Sequence, residues 1–129
     1  MVVKGYKAFE KGLVCKGKQY EENKVYEEPE AIPCKCGMHF CKNPLDVLNY
    51  YPLIDNDGNL TEFAEVEALE EPKTDDGKKY CTTKLKISAK LSIFDFIKVS
   101  AEVLRKTITK EVKESTKGAE SSGNYSQLA

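Results

Sequence analysis

The chain has no tryptophan, a single histidine and no stretch approaching the eighteen or so consecutive apolar residues that a membrane-spanning helix needs. No basic, apolar and small-residue series opens it, so a secretory signal is not expected and a reducing cytoplasm is. With one histidine, and no glutamate at the spacing of a hydrolytic motif, a catalytic zinc centre is disfavoured. Asp55 to Asn59 reads D-N-D-G-N, too short a series of oxygen donors for a calcium loop. The lysines and arginine late in the chain lack the aromatic interleaving of a nucleic-acid surface.

What is present is concentrated. Residues 34 to 41 read C-K-C-G-M-H-F-C, placing three of the five cysteines and the only histidine within eight residues. Thiolate sulfur and imidazole nitrogen are the ligands Zn²⁺ prefers, and a closed set of four holds structure rather than performing chemistry. In an extended Met38 to Cys41 segment, His39 and Cys41 project from one face. Gly37 permits the turn that brings Cys34 over, and Cys15 in L-V-C-K-G is the candidate fourth ligand from a second turn. Cys36 in place of Cys15 is an open alternative. Cys81 reads as a buried apolar thiol. A disulfide framework is disfavoured by the odd cysteine count and by a chain of 129 residues, which does not require staples.

At 40% hydrophobic and 32% charged residues, the composition is that of one ordinary soluble domain with a modest core. The net charge of −1 conceals a segregation. Residues 20 to 76 hold fifteen Asp and Glu against four Lys, whereas residues 1 to 19 carry +4 and residues 77 to 118 carry +7. Glu62, Glu65, Glu67, Glu70, Glu71, Asp75 and Asp76 are the candidate partner-binding residues, an acidic face suited to a basic protein groove and repellent to nucleic acid. The competing reading is a solvated sheet face plus loops.

Residues 2 to 9 are extended with Val3 and Phe9 on one face, and Lys24 to Tyr26 form a short strand. Asn43 caps a short helix with Pro44 at its first position, and Leu45, Leu48 and Tyr51 point inward. Ala64, Val66 and Ala68 alternate with Glu65 and Glu67 in a half-exposed strand. The D-D-G turn at residues 75 to 77 leads into a second strand, Lys79 to Leu91, with Cys81, Leu85, Ile87, Ala89 and Leu91 sharing a face, the two forming a hairpin. Ser92 and Asp95 begin a long amphipathic helix in which Ile93, Phe96, Ile97, Ala101, Leu104 and Ile108 recur at three and four. The expected class is α+β: a small, mostly antiparallel sheet with a short helix, one long C-terminal helix and a structural zinc site. Residues 1–116 form the domain and residues 117–129 a flexible Gly/Ser-rich tail.

K-G-Y-K-A-F, L-V-C-K-G, the run C-x-x-G-M-H-F-C-K-N-P-L-D-V-L-N-Y-Y-P and F-A-E-V-E-A-L together resemble a phage and prophage domain of unknown function over roughly residues 4 to 105. That resemblance implies positions equivalent to Cys15, Cys34, His39 and Cys41 as the ligand set, the Cys36 position being variable. S-S-G-N-Y-S-Q-L-A at residues 121 to 129 is similar to one truncated unit of the repeats that follow the domain in longer relatives. In kind, the chain is also similar to type II-A anti-CRISPR proteins. This implies a monomer that binds a type II-A CRISPR effector nuclease through its acidic face and blocks DNA loading or cleavage, with Zn²⁺ as a structural cofactor. A non-inhibitory phage structural or regulatory domain is one alternative. A degenerate ADP-ribosyltransferase-like enzyme is another, although the first strand lacks the His or Arg that would grip a nicotinamide ribose.

Overall fold

The computed structural model describes residues 2–33 and 35–118, with side chains as far as Lys113. Its core is a six-stranded antiparallel sheet in the order β4-β8-β6-β1-β5-β7, formed by β1 (Val3–Phe9), β4 (Lys24–Glu27), β5 (Met38–Cys41), β6 (Glu62–Ala68), β7 (Lys79–Thr82) and β8 (Lys84–Leu91). A two-stranded ribbon of β2 (Val14–Cys15) and β3 (Lys18–Gln19) lies between β1 and β4 in the chain. With α1 (Pro44–Val47) and α2 (Ile93–Gly118), this is an α+β fold.

The segment from Lys79 to Leu91 is not a single strand hairpinned on β6. It breaks at Thr83; β7 pairs with β5, whereas β8 pairs with β6 and β4. In a flat sheet these two strands would lie four positions apart, about 19 Å at the usual spacing, yet one residue joins them. The sheet must therefore curl until its two sides meet at this corner. Thr82 fastens the corner: its hydroxyl bonds to the carbonyls of Glu70 (3.0 Å) and Lys84 (3.3 Å).

Curling gives the sheet two apolar faces. One encloses Phe9, Met38, Phe40, Val66, Leu85 and Ile87 with Leu13, Cys15 and Tyr20 of the ribbon region. The other packs Ala8, Cys41 and Phe63 against Val47 of α1 and Phe96 of α2. Phe63 and Phe96 stack with ring centroids 3.8 Å apart. Ala64, Val66 and Ala68 are buried on β6 as their alternation predicts. The register shifts between Glu65 and Val66, leaving Ser88 as an extra residue on β8. Beyond that bulge the pleat changes sides, so Leu91 joins the helix-covered cluster while Leu85 and Ile87 stay in the enclosed one.

Asn43 caps α1 as predicted, accepting the Leu45 N–H (2.9 Å), with Pro44 at the helix start. Pro44 and Val47 are the buried residues; Leu48 and Tyr51 pack partly and Leu45 is half-buried. Ser92 caps α2 by accepting the Asp95 N–H (3.0 Å). Ile93 is half-buried and Phe96 buried, but Ile97, Ala101, Leu104 and Ile108 are exposed, contrary to the inward stripe expected. Length explains this. Twenty-six helical residues extend about 39 Å, whereas a seven-residue strand spans about 23 Å, so the sheet ends before the helix does. The helix reaches Gly118, two residues into the expected tail; the rest of that tail lies outside the described residues.

Candidate functional site

β1 and β5 are neighbours in the sheet, but their register contains only the pair Tyr6 and Cys41. The close approach there depends on Gly5, where a Cβ would run into the Phe40 ring and the Cys41 carbonyl. Beyond that pair the strands separate and a cleft of about 240 Å³ opens between them. Lys7, only 5% exposed, spans the gap: its ammonium donates to the His39 carbonyl (2.6 Å), replacing a backbone partner that β1 does not supply. Burial pushes the Lys7 amine below the ordinary lysine range, opposed by the nearby Cys15 sulfur.

Cys15, His39 and Cys41 all line this cleft. Cys15 ends β2, and its sulfur lies 3.3 Å from the Tyr51 hydroxyl. His39 is buried and its Nε2 has no hydrogen-bond partner among the described residues. Burial, followed by Lys16, Lys79 and Lys7, pushes its imidazole down to about 4, so the ring is neutral at physiological pH. Cys41 is also buried, which raises its thiol to about 12 with help from Asp46. Gly37 adopts a positive φ of 90°, the turn expected ahead of β5, and its missing side chain leaves room for Ala31. Cys34 lies outside the described residues. Cys36 is half-buried and bridges to Ile32. Among the described residues, no three His, Cys, Asp or Glu side chains converge closely enough to hold a metal ion.

Cys81 is fully buried, as its strand context suggested, and stands opposite His39 in the β5–β7 register without lining the cleft. Several residues that do line the cleft were not singled out from sequence. Lys7 shares the alternation of Val3 and Phe9, so a lysine on an inward face was visible in the sequence, though its partner was not. Lys16, Lys18, Lys35 and Lys79 also line the cleft, as do Tyr20, Tyr50 and Tyr51. Glu28 is the sole carboxylate among the described lining residues and pairs with Lys18 (3.0 Å).

The acidic candidates do not share one environment. Glu62 accepts the Leu13 N–H (2.9 Å) and pairs with Lys90 (3.3 Å). Glu67 accepts from Ser88 (3.3 Å) and is half-buried, whereas Glu65 is exposed on the same strand. Glu70, Glu71, Asp75 and Asp76 are exposed in the β6–β7 connection. There, Asp76 accepts the N–H groups of Lys78 (2.8 Å) and Lys79 (3.0 Å), and these bonds hold its carboxyl below the usual range.

Fold and cleft together define an α+β domain with a curled antiparallel sheet and a thiol- and imidazole-lined slot ringed by lysines. The chain belongs to a family described as a domain of unknown function, DUF7666, which matches residues 3–99. Comparison with curated proteins and with solved structures returns no match. No described helix is long and apolar enough to cross a membrane.

Proposed function

We propose that the domain is a zinc-braced binding protein rather than an enzyme, with Cys15, Cys34, His39 and Cys41 holding the metal at the cleft floor. The observation that carries this reading is the buried Nε2 of His39, without a hydrogen-bond partner among the described residues, in a cavity shared with Cys15 and Cys41. Leaving such a nitrogen unsatisfied costs about 1–3 kcal/mol, and a metal bond removes that cost. A neutral imidazole and thiols form the nitrogen and sulfur set that Zn²⁺ takes, and the thiols must shed their protons to bind it. Because no three of the described donors stand at ligating distance, the ion would have to draw their side chains together, and when bound it would cross-link the β2 turn, the loop before β5 and β5 itself. Tyr51 would orient Cys15 through its hydroxyl, and Lys7 would hold the His39 backbone in place. A strong chelator added to native-purified protein is expected to lower Tm by more than about 10 °C. An unchanged Tm would count against the brace.

The resemblance to phage domains and to type II-A anti-CRISPR proteins suggests a partner: a type II-A CRISPR effector nuclease in a bacterial cytoplasm, bound by a monomer with no direct nucleic-acid contact. Exposure of Glu70, Glu71, Asp75 and Asp76 along one connection favours this form, and Glu65 is exposed as well, in the middle of β6. Glu62 and Glu67, engaged within the sheet, would shape that face rather than offer charge to a partner. Titration into a guided DNA-cleavage reaction should give stoichiometric inhibition that Glu70→Lys with Glu71→Lys weakens at least tenfold. Undiminished cleavage at tenfold excess would leave the alternative, a phage structural or regulatory binding domain.

A further inference from the structure

Zinc on the cleft floor would account for Cys15, His39 and Cys41 and for the contact of Lys7 with the His39 carbonyl, but not for the other lysines around them. Lys7 comes from β1, Lys16 from the β2–β3 turn, Lys18 from β3, Lys35 from the loop before β5 and Lys79 from β7, yet all five line one cavity. Among the described lining residues the one carboxylate is Glu28, already paired with Lys18, with Asp46 and Asp76 near Cys41 but outside the lining. Lys79 lies over the Tyr50 ring (4.7 Å to its centroid), whose hydroxyl donates to Asp76 (3.3 Å), and forms no direct ion pair among the described residues. Lys16 and Lys35 are exposed and have no carboxylate partner among the described residues. A zinc ion on three thiolates and an imidazole would carry a net single negative charge, so lysines remain in excess even in the metal-loaded protein. Like charges gathered from separate segments repel one another, and a concave site focuses their field on whatever anion enters.

We infer that this cleft binds a small phosphate-bearing molecule, its phosphoryl oxygens held by Lys16, Lys35 and Lys79 at the mouth. The size of the cavity, about 240 Å³, favours a small ligand over a nucleic-acid backbone. Lys7, buried and bonded to the His39 carbonyl, adds its charge from inside the cavity, where a duplex cannot follow. Tyr50, 40% exposed beside Lys79, adds an aromatic surface for the rest of the molecule. The inference goes beyond the zinc brace and depends on the lysines, which are not metal ligands.

Calorimetric titration of native-purified protein with inorganic phosphate and with adenosine 5′-monophosphate, at constant ionic strength, tests it. Both should compete for one site, with adenosine alone failing to do so. Lys16→Glu with Lys35→Glu should weaken binding at least tenfold, while Lys42→Glu, exposed and outside the cleft, should leave it unchanged. Zinc content and Tm measured on the same samples separate loss of the anion site from loss of the brace. Absence of binding at millimolar probe would overturn the proposal. So would binding that the double reversal leaves intact, which would mean an adventitious ion only, or binding by a short DNA duplex but by neither small probe.

Discussion

At Gly5 there is room for a hydrogen and nothing larger, because the Phe40 ring and the Cys41 carbonyl close over the position. Gly5→Ala should cost about 1–3 kcal/mol in denaturant unfolding through overpacking, and a cost near zero would mean that the β1–β5 junction is looser than described. Glu62 gives a pH-dependent counterpart. Burial pushes its carboxyl up, but the N–H groups of Gly12 and Leu13 together with Lys90 outweigh this and hold it below the usual value. The folded state therefore binds fewer protons near pH 4 than the unfolded state does. The resulting stability is complete above the unfolded pKa of about 4.3 and is lost as pH falls through the lower folded value. Glu62→Gln should lower stability at pH 7 by about 1 kcal/mol and flatten its decline between about pH 5 and 3. An unaltered acid limb would show that Glu62 makes no such contribution. In sequence Glu62 was indistinguishable from Glu65 and Glu70, because its partners are 28 and 49 residues away in the chain.

Elements with strong local signals were legible. Asn43 and Pro44 mark α1, Ser92 marks α2, and the period of two in Ala64, Val66 and Ala68 marks β6. Features set by long-range pairing were not. Nothing in K-Y-C-T-T-K-L-K-I announces that Thr83 turns the chain from β5 to β6, and the bulge at Ser88 sends Leu91 to the face opposite the one its spacing implies. The periodicity of α2 was read correctly, but its inward direction held only for the turns that overlie the sheet. Ser92→Ala should therefore destabilise the domain by about 1 kcal/mol, since it uncaps the turns carrying Phe96 and Ser100. Leu104→Ala, on the exposed stretch, should cost under about 0.5 kcal/mol. Equal losses at the two sites, measured by chemical denaturation, would mean that the distal helix is packed after all.

For the whole molecule, the sheet's curl decides which distant residues meet. It carries the β2 turn, β5 and β7 to one cleft and so gathers Cys15, His39 and Cys41 with lysines from separate segments. The cysteine spacing already suggested that set of donors. The cationic lining was hidden, because Lys7, Lys16, Lys18, Lys35 and Lys79 are scattered through the sequence and the net charge is only −1. The central claim is the zinc brace, and elemental analysis of native-purified wild type beside Cys15→Ser, Cys36→Ser and His39→Ala tests it most directly. The account predicts one equivalent of zinc in the wild type and in Cys36→Ser, and its loss from the other two. A folded wild type without zinc, or with zinc that survives both Cys15→Ser and His39→Ala, would contradict it.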